Sequence, residues 1–290
     1  MKKITLLYLF LLSSLFFECN KQKEVIINNN TAPIDNTIST IKINDYINKL
    51  YILLLGREPS STELQQDYTA LRQGNVSTTT RKDLITSITT KNGYHYHLFE
   101  IAGANILNGS DTASIRYRYQ SLIDNITPNA SQQEIDIAYV SINKLKAVYN
   151  IPAHLQNNQI TMVECHKQLT DNELYDAINM NAVNFVTSTF TNFCNRNPTI
   201  YELENGVTMC QNSQEGVLFL ETGYKKQDYI NIFFRNNPYY EGQIFQLYKA
   251  YLNRIPTSDE SNYLMNLYKN TSNYTTIQQY ILSSDEYFSH

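Results

Sequence analysis

The amino-acid sequence predicts an all-α protein: three related three-helix units with a helical insertion, placed after a signal peptide and a flexible tether. Three observations carry that prediction. From about residue 43 onward, apolar residues recur at three- and four-residue spacing, the period of a helix face. Proline and glycine are sparse, 7 and 9 among 290 residues. One short segment, Gly/Asn-Arg-x-Pro-Ser/Thr-x-x-Glu, is written three times.

The first element is residues 1–18. Lys2 and Lys3 precede an almost unbroken apolar run from Ile4 to Phe17, the layout of a secretory leader. At fourteen residues the run is shorter than the roughly 20 a membrane-spanning helix needs, which favours a signal peptide over a span. Cys19, directly after the run, resembles the lipid-acceptor cysteine of bacterial lipoproteins, although Phe16-Phe17-Glu18 stands where that pattern places a small residue. Lipid attachment at Cys19 is therefore the expectation, with a leader cut elsewhere or retained as an anchor as the alternative. Residues 19–42 are polar and Asn-rich, and read as a tether.

Charge and cysteine content exclude several function classes. The formal charge is −4, and −5 once residues 1–18 are removed, with no run of Lys or Arg, so nothing marks a nucleic-acid partner. Beyond Cys19 the cysteines are Cys165, Cys194 and Cys210, an odd set that implies no disulfide framework. In a hairpin turning near Pro198, Cys194 and Cys210 are offset by ~12 Å along the helix axes, beyond disulfide reach. Free thiols are expected. The 23 tyrosines, against no tryptophan, fall mostly on helical apolar stripes, where a buried ring can still offer its hydroxyl to a partner.

Each position of the repeated segment has a physical task. Gly56, Asn195 and Asn253 tolerate the left-handed conformation that closes a helix. Pro59, Pro198 and Pro256 stop that helix from continuing. Ser60, Thr199 and Thr257 cap the next helix, and Glu63, Glu202 and Glu260, three residues on, complete a capping box. The segment is thus a corner between two helices. Arg57, Arg196 and Arg254 are expected beside the last carbonyls of the helix just ended, where a cation is favoured, bracing the corner to a carboxylate.

The flanks repeat as well. Counted from the arginine, positions −10, −6 and −3 are apolar in every copy: Ile47, Tyr51 and Leu54; Val186, Phe190 and Phe193; Ile244, Tyr248 and Tyr251. A third helix follows in each copy and ends on an aromatic residue, Tyr94, Tyr239 or Tyr287. The units are drawn at residues 43–96, 182–240 and 243–290. Residues 97–181 form the insertion, also helical, with Tyr117, Leu122 and Ile126 on one stripe and Ile135, Ile137, Tyr139, Ile142 and Leu145 on another.

The string Leu53-Leu54-Leu55-Gly56-Arg57-Glu58-Pro59, Glu63-Leu64 and the closing Ser283-Ser284-Asp285-Glu286-Tyr287-Phe288 resemble the bacterial helical domain of unknown function 4214. That family is itself similar to the phycobilisome linker domain and occurs in surface and exported proteins. The same residues are similar to the helical domain accompanying planctomycete-type cytochromes, which also carries Leu-Gly-Arg-x-Pro before a helix. About half of the chain is covered, and Asn195 and Asn253 depart from the glycine both patterns prefer. The resemblance implies a helical fold and no catalytic residue.

Candidate chemistry is thin. A thrice-repeated arginine suits a scaffold better than a ligand clamp, since an active site seldom needs one corner three times. His95 and His97 would share a metal only in an extended segment, and no third ligand is near in the sequence. Cys165-His166 lacks the second thiol of a haem-attachment motif, because Met162 occupies its place. No phosphate loop, nucleophile elbow or zinc-protease helix is written in the chain. The expectation is a noncatalytic lipoprotein of the cell envelope, exported and membrane-anchored, without metal or cofactor, whose helical repeat contacts another envelope protein or a surface polymer. The alternative is an envelope enzyme with its site in residues 97–181.

Overall fold

The computed structural model describes residues 37–290, so the leader, Cys19 and most of the tether lie outside the described residues. What is described is all-α apart from one small hairpin, and no helix in it is long and apolar enough to cross a membrane.

The first unit comprises α1 (Thr40–Leu55), α2 (Ser61–Gln73) and α3 (Thr78–Thr89), and leads into α4 (Tyr94–Ile106). Ser39, Ser60 and Ser77 cap its three helices, each accepting a backbone N–H from the first turn. Gly56 closes α1 at φ 67° and donates its N–H to the Ile52 carbonyl.

The insertion continues with α5 (Thr112–Asp124), α6 (Gln132–Gln156), α7 (Met162–Thr170) and α8 (Glu173–Asn179). α5 and α6 pack on each other as an arm. Here the sequence reading needs correction: Tyr117 and Ile137 are 78% and 62% exposed and Tyr139 is exposed too, so they do not lie on a buried stripe. Only from Ile142 onward does α6 meet enough neighbouring helix to be covered.

The second unit opens with α9 (Ala182–Thr189), which runs into a π turn at Phe190–Cys194, and continues with α10 (Ile200–Asn212). Next comes an antiparallel pair, β1 (Gly216–Leu218) and β2 (Glu221–Gly223), then α11 (Lys226–Arg235) and α12 (Asn237–Leu252). The last unit adds α13 (Ser258–Thr271), α14 (Tyr274–Leu282) and α15 (Asp285–Ser289).

Three features depart from the sequence reading. Tyr94, Tyr239 and Tyr287 lie in the first turn of the helix that follows the third one instead of ending it, because the chain breaks before each: at the turn over residues 90–93, at extended Asn236, and at Ser284, which caps α15. The boundary drawn between residues 240 and 243 falls inside α12, which finishes the second unit and starts the third. The hairpin is new. Its turn residues Phe219 and Leu220 both have positive φ, 53° and 66°, a conformation that usually selects Asn-Gly. Phe219 packs on the Phe190 and Phe233 rings, while Leu220 is 98% exposed.

A single apolar cluster runs through all the units. Two buried tyrosines satisfy their hydroxyls across it: Tyr46 donates to the Leu282 carbonyl at 3.0 Å, and Tyr94 donates to Gln278 Oε1 at 2.5 Å. Both bonds join the first unit to the last, as do the packing of α3 on α14 and the ion pair of buried Arg81 with Asp285. α7 packs against both α4 and α11, linking the first unit to the second. At Gly242 a Cβ would sit 2.0 Å from the Phe193 carbonyl oxygen, so a side chain there would push α12 off the π turn.

Candidate functional site

The three corners share one geometry. In each, the N-cap hydroxyl accepts the N–H of the glutamate, at 3.2 to 3.3 Å, and the glutamate Oε2 accepts the N-cap N–H. The same carboxylate is gripped end-on by the two Nη groups of the arginine: Arg57 holds Glu63 at 2.8 and 2.9 Å, Arg196 holds Glu202 at 2.8 and 2.7 Å, and Arg254 holds Glu260 at 2.8 Å twice. Each Nη1 also donates to the carbonyl of the next residue, Glu58, Asn197 or Ile255. Each guanidinium lies over the ring at position −6, namely Tyr51, Phe190 or Tyr248.

The expected brace to a carboxylate is present, whereas the arginine bonds go to that carboxylate and to the next residue's carbonyl and not to the last carbonyls of the preceding helix. The bidentate carboxylate, fixed by the capping box within reach, offers a planar match that single carbonyls at a helix end do not. The arginine grip holds the Glu63 carboxyl well below the usual carboxylate range and Glu260 at about 2. Burial pushes Glu202 upward, but the bonds from Arg196 and Thr199 outweigh it and leave it lowered. Local additions differ: Lys91 reaches Glu63 in the first corner, and Glu286 takes a second side of Arg254 in the third.

Gly56, Asn195 and Asn253 occupy the left-handed position at φ 67°, 53° and 50°. Glycine is required in the first corner for a further reason: a Cβ on Gly56 would meet the His97 ring at 2.7 Å. His97 therefore serves packing, and because residues 94–106 are helical, His95 points to another face. Among the described residues no group of His, Cys, Asp and Glu is placed to hold a metal ion. Cys165, Cys194 and Cys210 are free thiols, and burial pushes all three upward, the latter two to about 12.

The units meet around a cleft of about 480 Å³. Leu53 of α1, Ala102 of α4, His166 of α7, Asn192 of the π turn, Gln246 of α12 and Gln278 of α14 all line it. Among the described residues, no Asp, Glu, Lys or Arg does. His166 is 5% exposed, bonded through Nδ1 to the Tyr239 hydroxyl at 2.8 Å, and pushed down to about 3 by burial, so it is neutral at physiological pH.

Comparison with known family models, curated proteins and solved structures gives no match. The cleft is therefore read from its own chemistry. Its walls carry amides held in place: Gln243 donates to the Phe193 carbonyl at 3.3 Å, Gln246 to the Asn192 carbonyl at 2.6 Å, and Gln278 to the Tyr251 hydroxyl at 2.8 Å. Sequence reasoning passes over these glutamines. The signal for them is local: Gln243 and Gln278 sit beside Ile244 and Ile277 on helix faces that are otherwise apolar, and both are buried. The corner residues, by contrast, do not converge on the cleft.

Proposed function

We propose that this chain is a noncatalytic protein of the cell envelope, exported and anchored through lipid at Cys19, whose helical units present a binding surface to an envelope protein or a surface polymer, and that the central cleft is that surface. The observation carrying the reading is the make-up of the cleft: residues from every unit, immobilised amides, aromatic walls, and no charged side chain among the described residues. Clefts where units meet, apolar with a few fixed polar groups, are the usual place for a ligand. The alternative, an enzyme with its site in residues 97–181, would draw on His166, but that imidazole is walled in, committed to Tyr239 and faced by no carboxylate among the described residues.

The experiment is capture from envelope extracts by the immobilised chain, compared with Ala250→Trp, which places an indole at the cleft wall from an exposed position. The variant should melt with the parent and lose what the parent captures. Equal capture by both would remove the cleft from consideration. Anchoring is tested separately: Cys19→Ala should move the protein out of the membrane fraction and abolish labelling by a palmitate analogue.

A further inference from the structure

A second groove, of about 680 Å³, adjoins the cleft, and Leu98, Met162 and Tyr274 line both. The two hollows thus lie side by side. The second groove is lined by α3, the end of α6 and the α13–α14 turn, and it is rich in threonine, serine and asparagine. Among the described residues Lys91 is its only Lys, Arg, Asp or Glu, and Lys91 already faces Glu63 at 3.3 Å. Burial lowers His95, which keeps that ring neutral as well.

The direction of the hydrogen bonds narrows the ligand. In the cleft, Gln243 and Gln246 each commit one amide N–H to a backbone carbonyl, which leaves the second N–H for a ligand, and among the described residues neither Oε1 accepts a bond. In the groove, Thr86, Thr89 and Thr90 donate their hydroxyl hydrogens back to the carbonyls of Lys82, Thr86 and Ser87. What these side chains offer a ligand is lone pairs together with the remaining amide N–H groups. With Lys91 already paired to Glu63 and no other Lys or Arg among the described residues of either hollow, the lining leaves a desolvated phosphate or carboxylate uncompensated. It also lacks the carboxylate needed to compensate a desolvated ammonium. Helices and short turns border both hollows and, among the described residues, no strand lines them, so there is no sheet edge there for an extended peptide to pair with. A neutral chain bearing many hydroxyls meets all these conditions, and the Tyr274 and Tyr251 rings give it apolar faces to lie against.

We propose that the cleft and the groove form one continuous site for a neutral oligosaccharide chain. This rests on the reading of the cleft as a binding surface and specifies its ligand. The test is calorimetric titration of the detergent-solubilised full chain with neutral cello-, xylo-, manno- and malto-oligosaccharides, from disaccharides to octasaccharides, with polygalacturonate as the acidic control. At least one neutral series should bind, with affinity rising with length until both hollows are filled. Gln246→Leu should weaken every length about tenfold, whereas Thr276→Val, in the groove alone, should weaken only the longer members, by about threefold or more. Unchanged melting temperatures keep both variants interpretable. The proposal is overturned by failure of every neutral series, by preference for polygalacturonate, or by affinity indifferent to Gln246→Leu. If neutral saccharides fail while Ala250→Trp still abolishes capture from extracts, the ligand class is wrong and the binding surface stands; if Ala250→Trp captures normally as well, both are wrong.

Discussion

Replacing Glu202 by Ala removes the hub of the second corner, and its cost can be built from the bonds it breaks. The carboxylate accepts the Thr199 N–H at 2.7 Å and two Arg196 N–H groups at 2.8 and 2.7 Å, with the side chain 12% exposed. Loss of the cap contributes about 0.5–2 kcal/mol. Charge-assisted bonds to a shielded carboxylate are worth more than ordinary ones, but Arg196 is 40% exposed, so solvent screening limits the pair to about 1 kcal/mol. Glu202→Ala should therefore cost about 1.5–3 kcal/mol, lowering Tm by about 3–12 °C for a domain of this size. Arg196→Ala alone should cost about 1 kcal/mol, and the double variant should cost clearly less than the sum of the two, because the guanidinium acts on the corner mainly through that carboxylate and only secondarily through the Asn197 carbonyl and the Phe190 ring. Chemical denaturation of the four proteins measures the cycle. Single losses that add to within about 0.5 kcal/mol would refute the shared-hub reasoning.

Alanine at Arg57, Arg196 and Arg254 should lower Tm in each case, most at Arg254, which also holds Glu286; thermal melts rank them, and intact stability with lost binding at any one would make that corner a ligand site. Asparagine serves at two corners, yet Gly56→Asn should destabilise by about 1–3 kcal/mol because its Cβ strikes His97, and His97→Ala should rescue much of that loss in denaturant titrations. Leu220→Gly should raise stability by about 1 kcal/mol, since a fully exposed leucine at φ 66° has strain to lose and little packing; an unchanged or lower midpoint would show the turn to be relaxed. His166 is held neutral, at about 3 against an ordinary 6.5, so as pH falls from 6.5 toward 3 the unfolded chain takes up a proton the folded one refuses, and stability falls. His166→Gln should flatten that limb above about pH 4.5, while the further loss below it, where the lowered corner carboxylates protonate, should persist in urea midpoints measured across the range.

What is legible in the sequence is whatever is written locally. A capping box needs four consecutive positions and a left-handed cap one, so the corners at Ser60, Thr199 and Thr257 are visible without knowledge of the fold. That the arginine braces the corner to a carboxylate is legible too, but not which one, because the general preference for a helix end is weaker than a bidentate carboxylate six residues on. The hairpin escapes notice because Phe219 and Leu220 occupy a turn that normally announces itself through Asn-Gly. Tyr117 and Ile137 mislead because helical periodicity reports that a face exists and not whether a neighbour covers it. The cleft is the least legible, since Leu53, His166, Asn192, Gln246 and Gln278 come from distant segments and meet only through packing.

The contact between the first unit and the last has a consequence for how this architecture can change. An open array of repeats has two ends, each needing a polar capping unit, and it can lengthen or shorten by one repeat without disturbing the rest. Here Tyr46 bonds Leu282 and Tyr94 bonds Gln278, so the surface that would receive a fourth unit is already occupied by the first. α12, common to two units, likewise leaves no seam at which one could be excised. Adding a unit at this face would have to break those bonds, so change costs least where they are absent: the α5–α6 arm, the exposed hairpin tip and the side chains lining the central cleft.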